Sequence, residues 1–79
     1  MTLGVLRKSA SLTQEDLSKL LNVNRSTIAM WETGVSYPRA ENLLQLSQIL
    51  GVPAGDILTA INEMREGNDY AKREGSIQG

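Results

Sequence analysis

The 79-residue sequence predicts an all-α fold of five short helices in one compact domain, and three observations carry that reading. The stretch Gln14 to Gly34 (QEDLSKLLNVNRSTIAMWETG) holds two amphipathic segments separated by a polar break. Leu43, Leu46 and Leu50 recur at helical spacing between Pro38 and Gly51. Ile57, Leu58, Ile61 and Met64 recur in the same way after Pro53.

Each element has its own justification. Thr2 to Ser9 reads as a first helix with Leu3 and Leu6 inward, weakened at Gly4 by about 1 kcal/mol relative to alanine. Ser11-Leu12-Thr13 connects it to a second helix over about Gln14 to Leu21, with Leu12 plugging the core. Thr13 and Asp16 stand at the spacing of a capping box, with the shorter acid in the second position. Leu17, Leu20 and Leu21 share one face of that helix. Asn22 interrupts the pattern, and asparagine is one of the few non-glycine residues that accepts a left-handed backbone at a helix end. Asn24 is placed to cap a third helix, which turns Ile28 and Trp31 inward and stops at Gly34.

Val35 to Arg39 lacks an apolar period and reads as a loop. A fourth helix over about Arg39 to Leu50 points Ala40, Leu43, Leu46, Ser47 and Leu50 inward, flanked by Leu44 and Ile49, and closes at Gly51. Pro53 suits the first turn of a fifth helix that runs to about Glu66, whose Ile57 and Leu58 complete the core. Ile61 and Met64 lie further along it, as a dimer surface or as ordinary packing on the first helix. Residues 67–79 have a composition that buries little and read as a flexible tail.

Two helices joined by so tight a turn cross steeply, which leaves one face of the second projecting outward. That face carries Arg25, Ser26, Ala29 and Met30, with Thr27 at its edge. The group is small and polar at the helix N-terminus, where a helix can enter a DNA major groove.

At this point the stretch resembles the helix-turn-helix family of phage repressor and Cro proteins, the xenobiotic-response-element type. The matching residues are Thr13-Gln14, Leu17, Val23, Arg25-Ser26-Thr27-Ile28, Trp31-Glu32, Gly34 and Pro38, continued by Leu43, Leu46 and Leu50-Gly51-Val52. They cover roughly residues 3 to 58. The resemblance implies a five-helix, lambda-repressor-like DNA-binding domain over residues 1–66. It also implies an ion pair between Arg7 and Glu32, and a phosphate contact from Gln14. The first helix is shorter than the family's usual one, and Ser18 and Ser47 stand where the family commonly has alanine.

Further candidates come from residue chemistry. Arg25 can present two donors to guanine O6 and N7, or else meet a phosphate without reading a base. Ser26 is its neighbour at the helix start. Met30 has no hydrogen-bonding capacity and could touch only a thymine methyl or a sugar, as could Ala29. Asn24, Thr27 and Thr33 are candidate phosphate donors, and Arg39 could reach a phosphate or the minor groove. Trp31 is a core residue by its spacing from Ile28, and the aromatic set is too poor for stacking along a single strand.

Composition excludes more than it selects. There is no cysteine and no histidine, which removes disulfides, thiolate metal sites and the commonest general base. With no Gly-rich phosphate loop and no paired carboxylates on a concave scaffold, no enzyme, cofactor or metal is expected. The longest apolar runs are about four residues against the ~20 of a membrane helix, and no signal peptide is evident, so a cytoplasmic protein is expected. The net charge of −1 is unevenly placed: residues 1–40 carry five basic and three acidic side chains, residues 41–79 three basic and six acidic. The positive half is the helix-turn-helix half, and local field matters more than the total in steering towards DNA.

The expected function is sequence-specific double-stranded DNA binding by a transcriptional regulator, a repressor that binds a palindromic operator as a homodimer. The alternative is an antitoxin-type module whose C-terminal segment also binds a protein partner. A helical bundle that has lost DNA binding is a third reading.

Overall fold

A computed structural model describes the backbone of residues 1–78 and the side chains of residues 1–66. Its helices are α1 (Leu3–Ser9), α2 (Gln14–Leu21), α3 (Arg25–Glu32), α4 (Ala40–Leu50) and α5 (Ala54–Gln78). Their boundaries follow from local chemistry. The Thr2 hydroxyl accepts from the Val5 N–H at 3.2 Å and starts α1. At α2 the capping box forms in both directions: Thr13 Oγ1 accepts from the Asp16 N–H, and Asp16 Oδ2 accepts from the Thr13 N–H, each at 2.9 Å. Asn22 ends α2 in the left-handed region (φ 56°), and the Val23 N–H turns back to the Ser18 carbonyl. Gly51 ends α4 in the same region. The chain then bends through 104° into α5.

The core is one cluster drawn from all five helices: Leu3, Leu17, Leu21, Ile28, Trp31, Leu46, Ile57, Ala60 and Ile61. Leu12, Val23, Leu43, Ile49, Leu50 and Val52 pack around it. Trp31 is therefore a core residue. Burying a large apolar side chain is worth about 1.5–3 kcal/mol, so this cluster is the main term that orders the helices.

The structure corrects several expectations. Leu20 is 56% exposed, because Leu17, Ser18 and Leu21 occupy the strip of α2 that faces its neighbours. Ala40 and Leu58 are exposed as well, the first at the open start of α4 and the second one position off the Ile57–Ala60–Ile61 stripe of α5. Ile61 is fully buried (0% exposed), since it lies one turn after Ile57 on the face that packs against the bundle. It cannot be a dimer surface. Met64 stays partly exposed, at 36%.

One smaller correction and two side-chain bonds concern polar groups. Asn24 occupies the N-cap position of α3 but its side chain makes no capping bond; its carbonyl accepts from Thr27 and Ile28 instead. The Ser18 hydroxyl donates back to Glu15 O at 2.7 Å, whereas that of Ser47 donates forward to Val52 O at 2.6 Å and ties α4 to the bend. The α5 backbone is helical well past Glu66, to Gln78. The side chains of residues 67–79, where a flexible tail was expected, lie outside the described residues. Among the described residues no single helix is long and apolar enough to cross a membrane.

Candidate nucleic-acid interface

Local sequence sets the exposed face of α3. Ile28 and Trp31 pin the opposite side to the core, so Arg25, Ser26 and Met30 are left exposed and Ala29 and Thr27 half-buried. Gln14, at the start of α2, comes alongside. Gln14, Arg25, Ser26 and Ala29 line one open groove, and Gln14 and Arg25 also line a neighbouring depression with Lys8, Thr13 and Glu15.

A hydrogen-bonded chain holds this face. Arg7 is buried and donates from Nε to Glu32 Oε2 at 2.5 Å, from a terminal nitrogen to Glu32 Oε1 at 3.3 Å, and from the other to Leu12 O at 2.8 Å. The ion pair expected between these two side chains is present, and both are nearly enclosed (9% and 11% exposed). Gln14 Nε2 donates to Glu32 Oε1 at 3.0 Å, and Gln14 Oε1 accepts from Arg25 Nε at 3.4 Å. Four side chains from α1, α2 and the two ends of α3 thus form one series. It fixes where Gln14 and Arg25 stand, while the terminal nitrogens of Arg25 have no protein partner among the described residues.

The remaining candidates are placed unevenly. Asn24 and Arg39 are exposed, each at the N-cap of its helix. The Thr33 hydroxyl donates to Ala29 O and Met30 O at 3.1 and 3.2 Å, so a phosphate would have to draw it away from α3. At the start of α2 the capping box satisfies the Asp16 N–H. Backbone and side-chain hydrogen bonds from Thr13, with Lys19 further off, hold the Asp16 carboxyl below its ordinary pKa.

Sequence reasoning did not find the link from Glu32 through Gln14 to Arg25, nor the position of Lys8. One signal was available for the link: Gln14 and Arg25 are the first residues of α2 and α3, and steeply crossed helices bring their starts together. Lys8 stands next to the buried Arg7, and only the shape of the depression shows that it shares a surface with Gln14 and Arg25.

Two helices crossed in this way, the second presenting a polar N-terminal face beside the first residue of the other, define a helix-turn-helix domain. A helix-turn-helix family matches residues 5–57, and the chain belongs to it. It is 39% identical over 54 residues to the HTH-type transcriptional activator BcrR of Enterococcus faecalis, covering 68% of this chain and 26% of that protein. It is also 39% identical over 44 residues to the HTH-type transcriptional regulator DicA of Escherichia coli K12, covering 56% of this chain and 33% of that protein. The similarity thus spans about a quarter to a third of each relative's length. No solved structure matches the chain.

Proposed function

We propose that this chain binds double-stranded DNA sequence-specifically and regulates transcription from the bound site. The observation that supports this most is the exposed start of α3, where Arg25, Ser26, Ala29 and Met30 stand beside a Gln14 fixed through Glu32 to the buried Arg7. Family membership and two relatives named as transcriptional regulators support the same reading. In it, Arg25 reads a guanine edge, Ala29 and Met30 touch a thymine methyl or a sugar, and Ser26 contacts the neighbouring base. Gln14, Asn24, Thr27, Thr33 and Arg39 position the backbone, and Lys8 joins them.

The proposal extends to a homodimer on a palindromic operator, with α3 of each copy in successive major grooves about 34 Å apart. One copy offers few cations, so a single domain neutralises few phosphates and pairing supplies the missing affinity. Met64 belongs to the proposed dimer surface. Occupying a promoter requires only this binding, so repression by occlusion is the simplest mode of action. The site of action is the cytoplasm of a prokaryotic cell, on its own or a phage's DNA.

The test is selection from random duplex DNA followed by titration across salt concentrations. The expected result is an enriched palindrome with a steep salt dependence. Arg25→Ala should relax the preference at one base pair per half-site, by about 1–3 kcal/mol of discrimination. No enrichment at low salt would refute the proposal.

A further inference from the structure

Between α3 and α4 the chain crosses the face of α5, and two contacts weld it there. Gly34 has φ 78°, and a Cβ on it would stand 2.5 Å from the Arg65 backbone nitrogen and 2.8 Å from its Cα, so the loop lies directly on the α5 backbone. Three residues on, the Tyr37 hydroxyl donates to Asn62 Oδ1, and the Arg65 guanidinium sits over the Tyr37 ring, 5.2 Å from its centre. Pro38, the next residue, is buried. On the α3 side, the Val35 N–H reaches Met30 O at 2.9 Å. Thr33 and Arg39 flank this segment, and they are two of the residues assigned above to phosphate contacts.

We propose that Tyr37 is a positioning residue for DNA binding: its seat on Asn62 and Arg65 sets the height of the loop from Thr33 to Arg39 and so its reach to the phosphate backbone. The tyrosine itself touches no DNA in this account. The loop has no helical ladder of its own between Ser36 and Arg39, and Tyr37 ties it to α5 through its hydroxyl on Asn62 and its ring under Arg65. A long loop moves as its anchor moves, and a phosphate contact is lost when its donor shifts by about 1 Å. The base-reading start of α3 is held separately, by the chain from Arg7 to Arg25. Loosening Tyr37 therefore weakens phosphate contact without changing which bases are read.

The inference rests on the DNA-binding reading, and its test separates the two. Wild type, Tyr37→Phe, Asn62→Ala, the double variant and Arg25→Ala are titrated with a selected operator and with random duplex over a range of salt. Tyr37→Phe keeps the ring and its cation contact and removes only the hydroxyl. The expected result is a loss of about three- to tenfold for both DNAs, with a salt slope about one unit shallower per bound copy and the base preference unchanged. Asn62→Ala should match it, and the double variant should be no worse than either. Amide exchange across residues 33–39 should quicken in Tyr37→Phe in the absence of DNA. A mere loss of global stability would leave the salt slope unmoved. Unchanged affinity and slope in Tyr37→Phe while Arg25→Ala loses specificity would overturn this inference alone, as would unchanged amide exchange. A wild-type protein that binds neither DNA would overturn the functional reading, and the inference with it.

Discussion

Replacing Arg7 by methionine removes three hydrogen bonds at once and leaves Glu32 nearly enclosed with, among the described residues, only Gln14 as a partner. The magnitude follows from the enclosure. At 9% and 11% exposure neither side chain can recruit much water, so the cost is that of an uncompensated buried charge, about 3–5 kcal/mol. The freed Leu12 carbonyl adds to it, because the unpaired end of the α1–α2 connection must find solvent. A 79-residue domain has roughly 4–12 kcal/mol of stability in total, so most of it is at stake. Thermal and urea unfolding followed by circular dichroism should show a midpoint lowered by at least about 12 °C, or no cooperative transition at all. Arg7→Met combined with Glu32→Leu removes the stranded carboxylate and should recover most of the loss, because a buried pair is worth little against apolar residues of similar volume. A midpoint in Arg7→Met within about 2 °C of wild type would refute the argument from burial.

Three further expectations follow from the same structure. Gly34→Ala forces a side chain into the left-handed region and onto the α5 backbone, and should cost roughly 2–5 kcal/mol in urea unfolding; a loss under ~1 kcal/mol would show that the loop can lift from α5. Ile61→Ala should cost about 2–5 kcal/mol as a core truncation, whereas Met64→Ala should leave the monomer's stability nearly unchanged and weaken self-association in sedimentation. Equal unfolding midpoints for the two variants would contradict their assignment. Asp16 has a folded-state pKa below its ordinary value, so its contribution is present above the unfolded pKa of ~4 and is lost as pH falls through the lower folded value. Asp16→Asn should flatten that acid limb of the stability curve, and an identical limb in the variant would show that other carboxylates produce it.

Much of the fold was legible because its signals are local. Asn22 in the left-handed region, the Thr13–Asp16 box and the Gly51 closure each depend on a few adjacent residues whose chemistry has few alternatives. The errors fall where a periodic stripe is wider than the surface that receives it. In α2, Leu17, Leu20 and Leu21 all fit one helical face, but the strip that is buried runs through Leu17, Ser18 and Leu21, and Leu20 lies outside it. In α5 the same ambiguity ran the other way. Leu58 and Ile61 both follow the pattern, and the 104° bend at Gly51–Pro53 decides which of them turns inward. That angle is a property of packing between helices, and no residue spacing encodes it.

The candidate site divides along the same line. Which residues stand on the outer face of α3 follows from Ile28 and Trp31 pointing inward, so Arg25, Ser26, Ala29 and Met30 could be named from spacing. What holds them was legible only in part: the family resemblance supplied the pair of Arg7 with Glu32, but not the amide of Gln14, which joins Glu32 to Arg25 across sequence separations of 18 and 11. This difference has a mechanical consequence. Gln14 serves Glu32 with its nitrogen and Arg25 with its oxygen, so a phosphate that takes a second N–H from the same amide need not release either bond. The amide can therefore bind the backbone while it still orients Arg25 towards the groove. A glutamate at this position would keep an acceptor for Arg25 but would place its charge beside Glu32 and lose the donor, so it should impair stability and binding together. In the proposed reading, glutamine at the start of α2 combines both functions, and neither glutamate nor an apolar residue would.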